Sequence, residues 1–424
     1  MDFVPPLTGL HLAALTPARH EVRVVHQQVE PVDLETDADL VALSFFSGFA
    51  PEAYRIAEVL RRRGKLVVGG GPHVTFSPDE ALRFLDAVVL GEADALWPRL
   101  LADAEAGRLQ RVYEGPPPAL DGLPTPRYDL LRGGFFVPRV VQATRGCPYA
   151  CTFCSVTAFA QHRFRTRPVD EVIDEARGLG RWLLFMDDNI VGDREYAKEL
   201  FARLIPLRRH WFSQCGLRIA EDPELLALAA RSGCGGMFIG FESLSDANLQ
   251  AWRKTTNRAR DYARAVARLH AAGIGVYAGF VFGMDDDGSD VFERTLDFLE
   301  EARVDALQAT ILTPFPGTPL FDEMDRQGRI RTCDWAHYDF GHVVFEPRGM
   351  SPEVLRAGQN WVQSRFYSCG RTWRRIARSF GWLSPAVVLH GLLPLNLGYR
   401  LRHRAFGTFE KGRGFEEILA REAA

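Results

Sequence analysis

Six short apolar segments alternate with helical patterns over residues 136–333, and this alternation limits what the chain can fold into more than any other feature. Amphipathic stretches such as VDEVIDEARGL and DYARAVARLHAAG separate the segments. Six βα units of this kind predict a partial (β/α)6 TIM-type barrel, with its chemistry at the C-terminal ends of the strands. The predicted strands are FVPRVVQAT, RWLLFMDD, WFSQCGLRI, GGMFIGFES, GIGVYAGFVFG and DALQATILT.

Residues 1–113 show a shorter version of the same alternation. The strand patterns HEVRVVH, ADLVALSFFSG, KLVVGGGPH and AVVLGEAD stand between helical patterns such as PEAYRIAEVLRRRG and SPDEALRFLD. This order predicts a doubly wound, Rossmann-like domain, a parallel sheet with helices on both faces. The chain begins at a PPLTGL turn, where such a domain has an earlier strand, so we expect either that the sheet is one strand short or that the start codon is misplaced.

Two further stretches complete the predicted domain plan. Residues 114–135 contain five prolines and are predicted to form a stiff linker between the two α/β units. From residue 334 the strand patterns fade, and residues 334–424 are predicted to be helical and basic. Their apolar stretch is interrupted by Pro385 and Pro394, which argues against a membrane-spanning helix.

The charge composition excludes one broad class of partner. Lysine and arginine number 51 and aspartate and glutamate 54, for a net charge of -3. A nucleic-acid-binding protein carries a basic excess, so no nucleic-acid partner is expected. The N-terminus lacks the basic and apolar regions of a secretory signal, which predicts a cytoplasmic protein.

Three of the seven cysteines, Cys147, Cys151 and Cys154, form a CxxxCxxC motif in the loop after the first predicted barrel strand. An iron–sulfur cubane normally takes one thiolate per iron, so three thiolates leave one iron open for a non-protein ligand. The alternative is a zinc site that His162 completes. The remaining cysteines are scattered and are expected to be packing residues: Cys215, Cys234, Cys333 and Cys369.

Arg145 and Gly146, followed by this motif after the first strand of a six-unit βα barrel, resemble the radical S-adenosylmethionine (SAM) superfamily. The resemblance implies a 4Fe-4S cluster bound by the three motif cysteines, with SAM chelated to the fourth iron. Electron transfer into the SAM sulfonium then releases methionine and a 5′-deoxyadenosyl radical, which abstracts hydrogen from an unreactive C–H bond. The protein's part is to hold and orient the cofactors and to exclude water.

The same resemblance implies SAM contacts at the strand ends. Phe153 matches an aromatic residue that the family places against the adenine. Asp187 and Asp188 end the second strand, where the family binds the SAM amino group; their alternative role is to cap the next helix, which Asp193 is better placed to cap. Further polar residues at strand ends are expected to meet the ligand or each other, because burying them alone is unfavourable. These residues are Gln214, Arg218 and Glu242.

The fifth strand resembles the family's GxIxGxxE segment, but Phe282 stands where the glutamate would be. We therefore expect Gly279 to contact adenine through the backbone. Its alternative role is a close approach between a strand and a helix, which is a common use of glycine.

The segments VALSFFSG, VVGGGPH and VVLGEAD resemble the cobalamin-binding domain that precedes the barrel in one class of radical SAM enzymes. The glycines permit close backbone approach at a switch-point crevice of the sheet. The DxHxxG motif that supplies a cobalt-ligating histidine in other cobalamin proteins is absent, so no histidine ligation is expected. The resemblance implies cobalamin contacts from Ser44, Ser47, Gly69, Gly70, Gly71, His73, Gly91 and Glu92.

Two cofactor domains in one chain predict a cobalamin-dependent radical SAM methyltransferase. It would methylate an unactivated carbon of a small-molecule or lipid-like substrate, through the 5′-deoxyadenosyl radical and methylcobalamin. One alternative is a cobalamin-type radical SAM enzyme that catalyses a rearrangement, cyclisation or oxidation without methyl transfer. Another is a non-catalytic cobalamin or iron–sulfur sensor.

Two kinds of partner follow from this interpretation. The enzyme needs an electron donor such as flavodoxin or ferredoxin. Four arginines beside an apolar stretch could hold the C-terminal region on the inner face of a membrane, while the alternative is a helical cap that closes the barrel. The four are Arg371, Arg374, Arg375 and Arg378.

Overall fold

Two parallel sheets, one in each predicted α/β unit, organise the chain. The structure is a computed structural model that describes residues 6–27, 30–131 and 139–405, together with Phe415 and Ile418. The predictions made for residues 1–5, 132–138 and most of 406–424 lie outside the described residues.

The N-terminal sheet has four parallel strands in the order β1-β2-β3-β4. The strands are β1 Leu40–Ser44, β2 Leu66–Gly70, β3 Ala87–Leu90 and β4 Val112–Glu114. The helices are α1 Leu7–Leu15, α2 Ala50–Arg62, α3 Pro72–Phe76, α4 Pro78–Ala81 and α5 Trp97–Glu105.

Helices cover both faces of this sheet, as predicted. Val67 and Val88 point to one face and join a core with Ala57 of α2. Val68, one residue along, points to the other face and packs with Trp97 of α5. Alternate residues of a strand lie on opposite faces, so the near-continuous valine runs reflect burial on both sides.

Two details of the N-terminal prediction are wrong. Residues 21–26, within HEVRVVH, form no strand. Instead, the Val24 side chain lies over Gly9 of α1, so the alternating valines reflect packing on a helix rather than strand pairing. The order of the four described strands also never reverses, so Gly69 to Gly71 do not stand at a switch point between them.

The second sheet contains all six predicted barrel strands, in the order β12-β11-β10-β9-β8-β5, and every pairing is parallel. Its strands are β5 Arg139–Val141, β8 Trp182–Phe185, β9 His210–Cys215, β10 Cys234–Glu242, β11 Gly275–Phe282 and β12 Ala306–Ile311. A short antiparallel pair, β6 Thr144–Arg145 and β7 Arg165–Thr166, flanks the cysteine loop.

Helices surround the barrel sheet and bury one continuous core against it. They are α6 Ser155–Phe159, α7 Val169–Gly178, α8 Arg194–Leu204, α9 Pro223–Arg231, α10 Asp246–Ala251, α11 Tyr262–Ala271, α12 Val291–Glu301 and α13 Pro319–Arg326. The Asp193 side chain caps α8 by accepting from Tyr196 N, as the sequence predicted.

The proline-rich linker lies against both α/β units. Gly122 N donates to the Glu171 side chain of α7 at 2.9 Å, and Arg127 N donates to the carbonyl of Leu10 in α1 at 3.1 Å. Leu120, two residues before Gly122, is buried. The segment is therefore a packed connection.

The C-terminal region is helical and covers the amino ends of the barrel strands. Val388 and Leu392 pack with Phe212, Tyr277 and Ala306, which stand in the first halves of their strands. This agrees with the expected helical cap. The helices are α14 Pro352–Phe366, α15 Cys369–Ser379, α16 Pro385–Val387, a π-helical turn Val388–Leu392 and α17 Leu393–Ala405.

One arginine predicted to face a membrane is instead an interior residue. Arg375 is 1 % exposed, and its guanidinium donates to Asn396 Oδ1 and lies 3.8 Å from the centre of the Phe366 ring. Among the described residues, no helix combines the length and the apolar character that a membrane span needs.

Candidate functional site

The three motif cysteines stand between β6 and α6 at the carboxyl end of the barrel, and all three are at least half-buried. Burial raises the pKa of the Cys147 and Cys154 thiols and raises that of Cys151 to about 11. The nearby Lys254 cation opposes this effect but does not outweigh it. A metal centre at this loop would bind the three side chains as thiolates and release their protons.

The exposure of His162 separates the two metal interpretations. His162 is exposed, and within the described ranges no three His, Cys, Asp or Glu side chains are grouped to hold a single metal ion. His162 therefore does not complete a zinc site with the cysteines. A 4Fe-4S cluster with one open iron takes three thiolates, each on a different iron, and needs no histidine.

A buried ion pair lies next to the cysteines. Lys254 Nζ lies 2.8 Å from Glu242 Oε1, and both side chains are more than four-fifths buried. Burial alone would lower the pKa of Lys254, but Glu242 and the thiols outweigh it and raise that pKa. Glu242 thus meets a cationic partner from the chain itself, which satisfies the polar group that the sequence left unexplained.

Asp187 ties two strand ends together. It is fully buried, and its Oδ1 accepts hydrogen bonds from Ala143 N at 3.0 Å and from Thr144 Oγ1 at 2.7 Å. Its Oδ2 has no hydrogen-bond partner, and burial raises its pKa to about 7. Asp188 accepts from Gly146 N at 2.9 Å and so holds the residue before the first cysteine.

Asn189 completes this group of strand-end contacts. Its Nδ2 lies 3.9 Å from Cys147 Sγ, and its Oδ1 accepts from Gly216 N at 3.0 Å. Residues 187–189 therefore fix the start of the cysteine loop, the segment between β5 and β6 and the residue that follows β9.

The other predicted SAM contacts are dispersed. Phe153 packs against Trp252 with ring centres 5.3 Å apart. Gln214 is half-buried on β9. Arg218 is exposed beside Glu221 and lines a hollow of about 270 Å³, so the structure does not bring it to Glu242.

Gly279 is packed closely against a neighbouring strand rather than against a helix, and its backbone contact with adenine stays a prediction. A Cβ at this position would lie 2.8 Å from the ring of Phe238 on the neighbouring strand β10. The absent side chain is thus needed for the close approach of two strands.

An ionic cluster joins the N-terminal domain to the cysteine loop. Glu92 and Asp94, in the loop after β3, both accept from Arg145 Nη1 at 2.7 Å. Arg165 of β7 also pairs with Glu92, and His11 lies 2.8 Å from Asp94. Glu92, a predicted cobalamin contact, is therefore engaged by two arginines.

The glycines at the end of β2 have different roles. A Cβ on Gly69 would overlap the Leu85 side chain, so a glycine is needed here for Leu85 to pack against the strand. A Cβ on Gly71 would lie 2.8 Å from Phe45 O, which brings the ends of β1 and β2 together. At Gly70 an added Cβ would make only ordinary contacts.

An open, apolar surface lies at the carboxyl ends of these strands. Gly91 has φ +75°, and a Cβ there would meet nothing within 4 Å. Ser44 is exposed, and the exposed fractions of Phe46 and Phe49 are 61 % and 54 %. An open cradle with aromatic sides fits a large, flat cofactor such as cobalamin.

His73 lies below this surface and has no free nitrogen. Its Nδ1 is 3.1 Å from Ser47 Oγ and its Nε2 is 2.9 Å from Tyr54 OH. His73 is 1 % exposed, and burial lowers its pKa, so the ring is neutral. Trp335 covers it with ring centres 5.2 Å apart. Both ring nitrogens of His73 are therefore engaged, and the absence of histidine ligation to cobalt stays a prediction.

Comparison with known proteins tests this arrangement. A family model described as the radical SAM superfamily matches residues 141–299, and one described as the B12 binding domain matches residues 4–101. The bacteriochlorophyllide d C-12(1)-methyltransferase of Chlorobaculum tepidum is 34 % identical over 81 % of this chain and 78 % of that one. The chain belongs to the radical SAM superfamily, in the group that carries a B12 binding domain.

One further sequence relative and one solved structure are similar to this radical SAM chain. The hopanoid C-2 methylase of Rhodopseudomonas palustris is 28 % identical over 77 % of this chain and 66 % of that one. The radical SAM methyltransferase TsrM from Kitasatospora setae, solved with cobalamin and an iron–sulfur cluster bound, has a TM-score of 0.68 at 17 % identity. It covers 98 % of this chain and 97 % of its own, which confirms the fold.

Family membership makes the chain an enzyme, and the alternative of a non-catalytic sensor is set aside. Two residues near the three cysteines, Lys254 and Asn189, were not predicted from the sequence. Lys254 pairs with Glu242 only in the folded chain, since twelve residues separate them. The only hint of Lys254 in the sequence is that lysine is rare, since the chain has four lysines among 51 basic residues. Asn189 follows the two aspartates directly and could have been included with them.

Proposed function

We propose that this radical SAM enzyme is a cobalamin-dependent methyltransferase that acts on an unactivated carbon of an apolar small molecule. The observation that carries the proposal is the contact of Arg145 with Glu92 and Asp94. It joins the loop of the three cysteines to the loop after β3 of the B12 domain. Methyl transfer that uses both cofactors requires such a junction.

The bound cofactors would supply the radical and the methyl group. The chain would hold the cluster with Cys147, Cys151 and Cys154, while Asp188 and Asn189 hold that loop in place. Gly70, Gly91 and Ser44 would face the cobalamin. His73 is bound to Ser47 and Tyr54, so it would hold the neighbouring loop and would not supply a ligand to cobalt.

The apolar character of the substrate is inferred from the seam between the domains. Phe340 is 47 % exposed, and its carbonyl accepts from Ile311 N, which places it at the carboxyl end of β12. The turn that bears Phe46 and Phe49 lies alongside, since a Cβ on Gly48 would lie 2.9 Å from Tyr338 O. Exposed aromatic side chains on both sides favour an apolar ligand. Relatives named for a bacteriochlorophyllide and a hopanoid agree with this class.

Product analysis tests methyl transfer. The anaerobically purified and reconstituted protein, given SAM, a reductant and an apolar substrate, is expected to form both 5′-deoxyadenosine and S-adenosylhomocysteine. The Cys151→Ala variant should form no deoxyadenosine. Deoxyadenosine from wild-type enzyme without S-adenosylhomocysteine would overturn methyl transfer and support the non-methylating alternative.

We also propose a cytoplasmic location with flavodoxin or ferredoxin as electron donor. All seven cysteines are free, as is usual in a reducing compartment. Reduced flavodoxin should replace dithionite in the product assay. Failure of both flavodoxin and ferredoxin would contradict this choice of donors.

Peripheral membrane contact is proposed for the outer face of α15. Trp373 is 53 % exposed and Phe380 is 46 % exposed, and Arg374 lies beside Trp373 on the surface. Residues 354–409 contain no aspartate or glutamate, so no acidic side chain in this stretch offsets its arginines. Flotation with anionic vesicles should fall when Trp373 and Phe380 are both changed to Ala. Unchanged flotation would remove the membrane proposal.

A further inference from the structure

Lys254 brings a positive charge to the cysteine loop on a segment that is docked against that loop. Trp252 O accepts from Thr152 N at 3.1 Å, and Arg253 O lies 3.9 Å from Cys151 Sγ. The Phe153 and Trp252 rings pack together as well. These contacts of Cys151, Thr152 and Phe153 hold the segment that bears Lys254 against the cysteine loop, and its charge acts on all three thiols.

The residues around Lys254 Nζ restrict the position of this ammonium group. Gly240 has no side chain, and a Cβ there would overlap the Glu242 carboxylate and lie 3.3 Å from Lys254 Nζ. Glu242 and Arg253 both adopt left-handed backbone conformations, with φ +67° and +56°. Such conformations are unfavourable for side chains larger than glycine and persist only where the surroundings require them.

The choice of residue is also informative. The chain uses arginine at nearly all of its basic positions, yet this buried position holds one of four lysines. A lysine presents a compact point charge, whereas arginine presents a wide planar fork that suits bidentate pairing. A compact ammonium fits the space between Glu242 and the cysteine loop.

We propose that Lys254 raises the reduction potential of the iron–sulfur cluster, and that Glu242 limits this effect by pairing with it. The inference rests on the proposed cluster at the three cysteines. One-electron reduction, with the electron supplied by a flavodoxin-type or dithionite donor, adds one negative charge to the site. A nearby buried cation lowers the energy of that added charge, and a nearby carboxylate raises it.

Two substitutions should therefore act in opposite directions. Lys254→Met removes the cation and should shift the cluster midpoint potential to a more negative value. Glu242→Gln leaves the cation uncompensated and should shift the potential to a more positive value. Lys198→Met is the matched control, because Lys198 is also mostly buried and paired, 2.7 Å from Glu224, but lies on the outer helix α8.

The test is a redox titration of anaerobically reconstituted protein without SAM, followed by electron paramagnetic resonance, with iron and sulfide quantified for each variant. Opposite shifts at Lys254 and Glu242, with no shift for Lys198→Met, would support the inference. Equal potentials in all four proteins, or shifts of the same sign at Lys254 and Glu242, would overturn it. If the Lys254→Met variant holds no cluster, the Glu242→Gln variant still tests the inference. A positive shift of its midpoint potential would support the inference, and a negative shift or none would overturn it. A wild-type protein that holds no cluster would overturn the proposed function instead.

Discussion

Arg145 Nη1 lies 2.7 Å from Glu92 Oε2, and this contact connects the two cofactor-binding units two residues before the first cysteine. Their side chains are 15 % and 8 % exposed, so the charges are poorly screened by water. The pair is therefore of structural importance, unlike most ion pairs at a protein surface.

Replacing Arg145 with Ala should lower the free energy of unfolding by about 3 kcal/mol, because two carboxylates are left buried without their main partner. Chemical denaturation of the loaded protein measures this. Arg127→Ala is the control, since Arg127 pairs with Asp129 on the surface and its loss should cost at most about 1 kcal/mol. Equal losses in the two variants would contradict the prediction.

Asp187 should make the stability depend on pH. Its native pKa is about 7, whereas an unfolded aspartate has a pKa of about 3.9. The native state thus retains a proton that the unfolded state releases, so its stabilising contribution is fully present below pH 4 and is lost as the pH rises to 7.

The Asp187→Asn variant cannot lose this proton, so its free energy of unfolding should fall less between pH 5 and 7 than that of the wild type. Urea denaturation at several pH values provides the measurement. SAM affinity should change little, because the carboxylate is fully buried. Parallel pH curves for the two proteins would refute the assigned pKa.

Gly91→Ala should impair cobalamin retention more than stability. Its left-handed backbone, φ +75°, costs a residue with a side chain about 1 kcal/mol. Gly64→Ala is a matched control, since Gly64 has φ +77° and equally open surroundings but lies in the turn before β2. Absorption spectroscopy after gel filtration should show cobalamin loss in Gly91→Ala alone. Similar loss in both variants would place the cofactor elsewhere.

His73 should not bind cobalt. The electron paramagnetic resonance spectrum of the cob(II)alamin-loaded protein should lack the splitting that an axial imidazole nitrogen produces, and His73→Gln should leave the spectrum unchanged. The variant should instead lose stability, because Ser47 and Tyr54 lose a buried partner. A nitrogen splitting that disappears on substitution would show that His73 moves to the metal.

Local patterns predicted the barrel well because each βα unit is a short-range feature. All six strands and the cap of α8 were found from adjacent residues. The strand assigned to HEVRVVH failed for a related reason, since alternating valines look the same whether they face a sheet or the helix that bears Gly9.

The fine structure of the site depends on residues that are distant in sequence. The motif names the three cysteines, but the partner of Glu242 is Lys254, and the partners of Arg145 come from another domain. Neither pairing leaves a local pattern. Arg375 illustrates the converse, because its helical spacing with other arginines suggested a surface and gave no sign of its burial against Phe366 and Asn396.

The helices that cover the amino ends of the barrel strands limit where substrate can enter and product can leave. With Val388 and Leu392 seated against Phe212 and Tyr277, the described barrel is plugged at that end. A substrate cannot enter through that end, so binding and release would both take place at the carboxyl ends of the strands. The turnover rate would then depend on how fast the product is released from the surface beside Phe46 and Phe340.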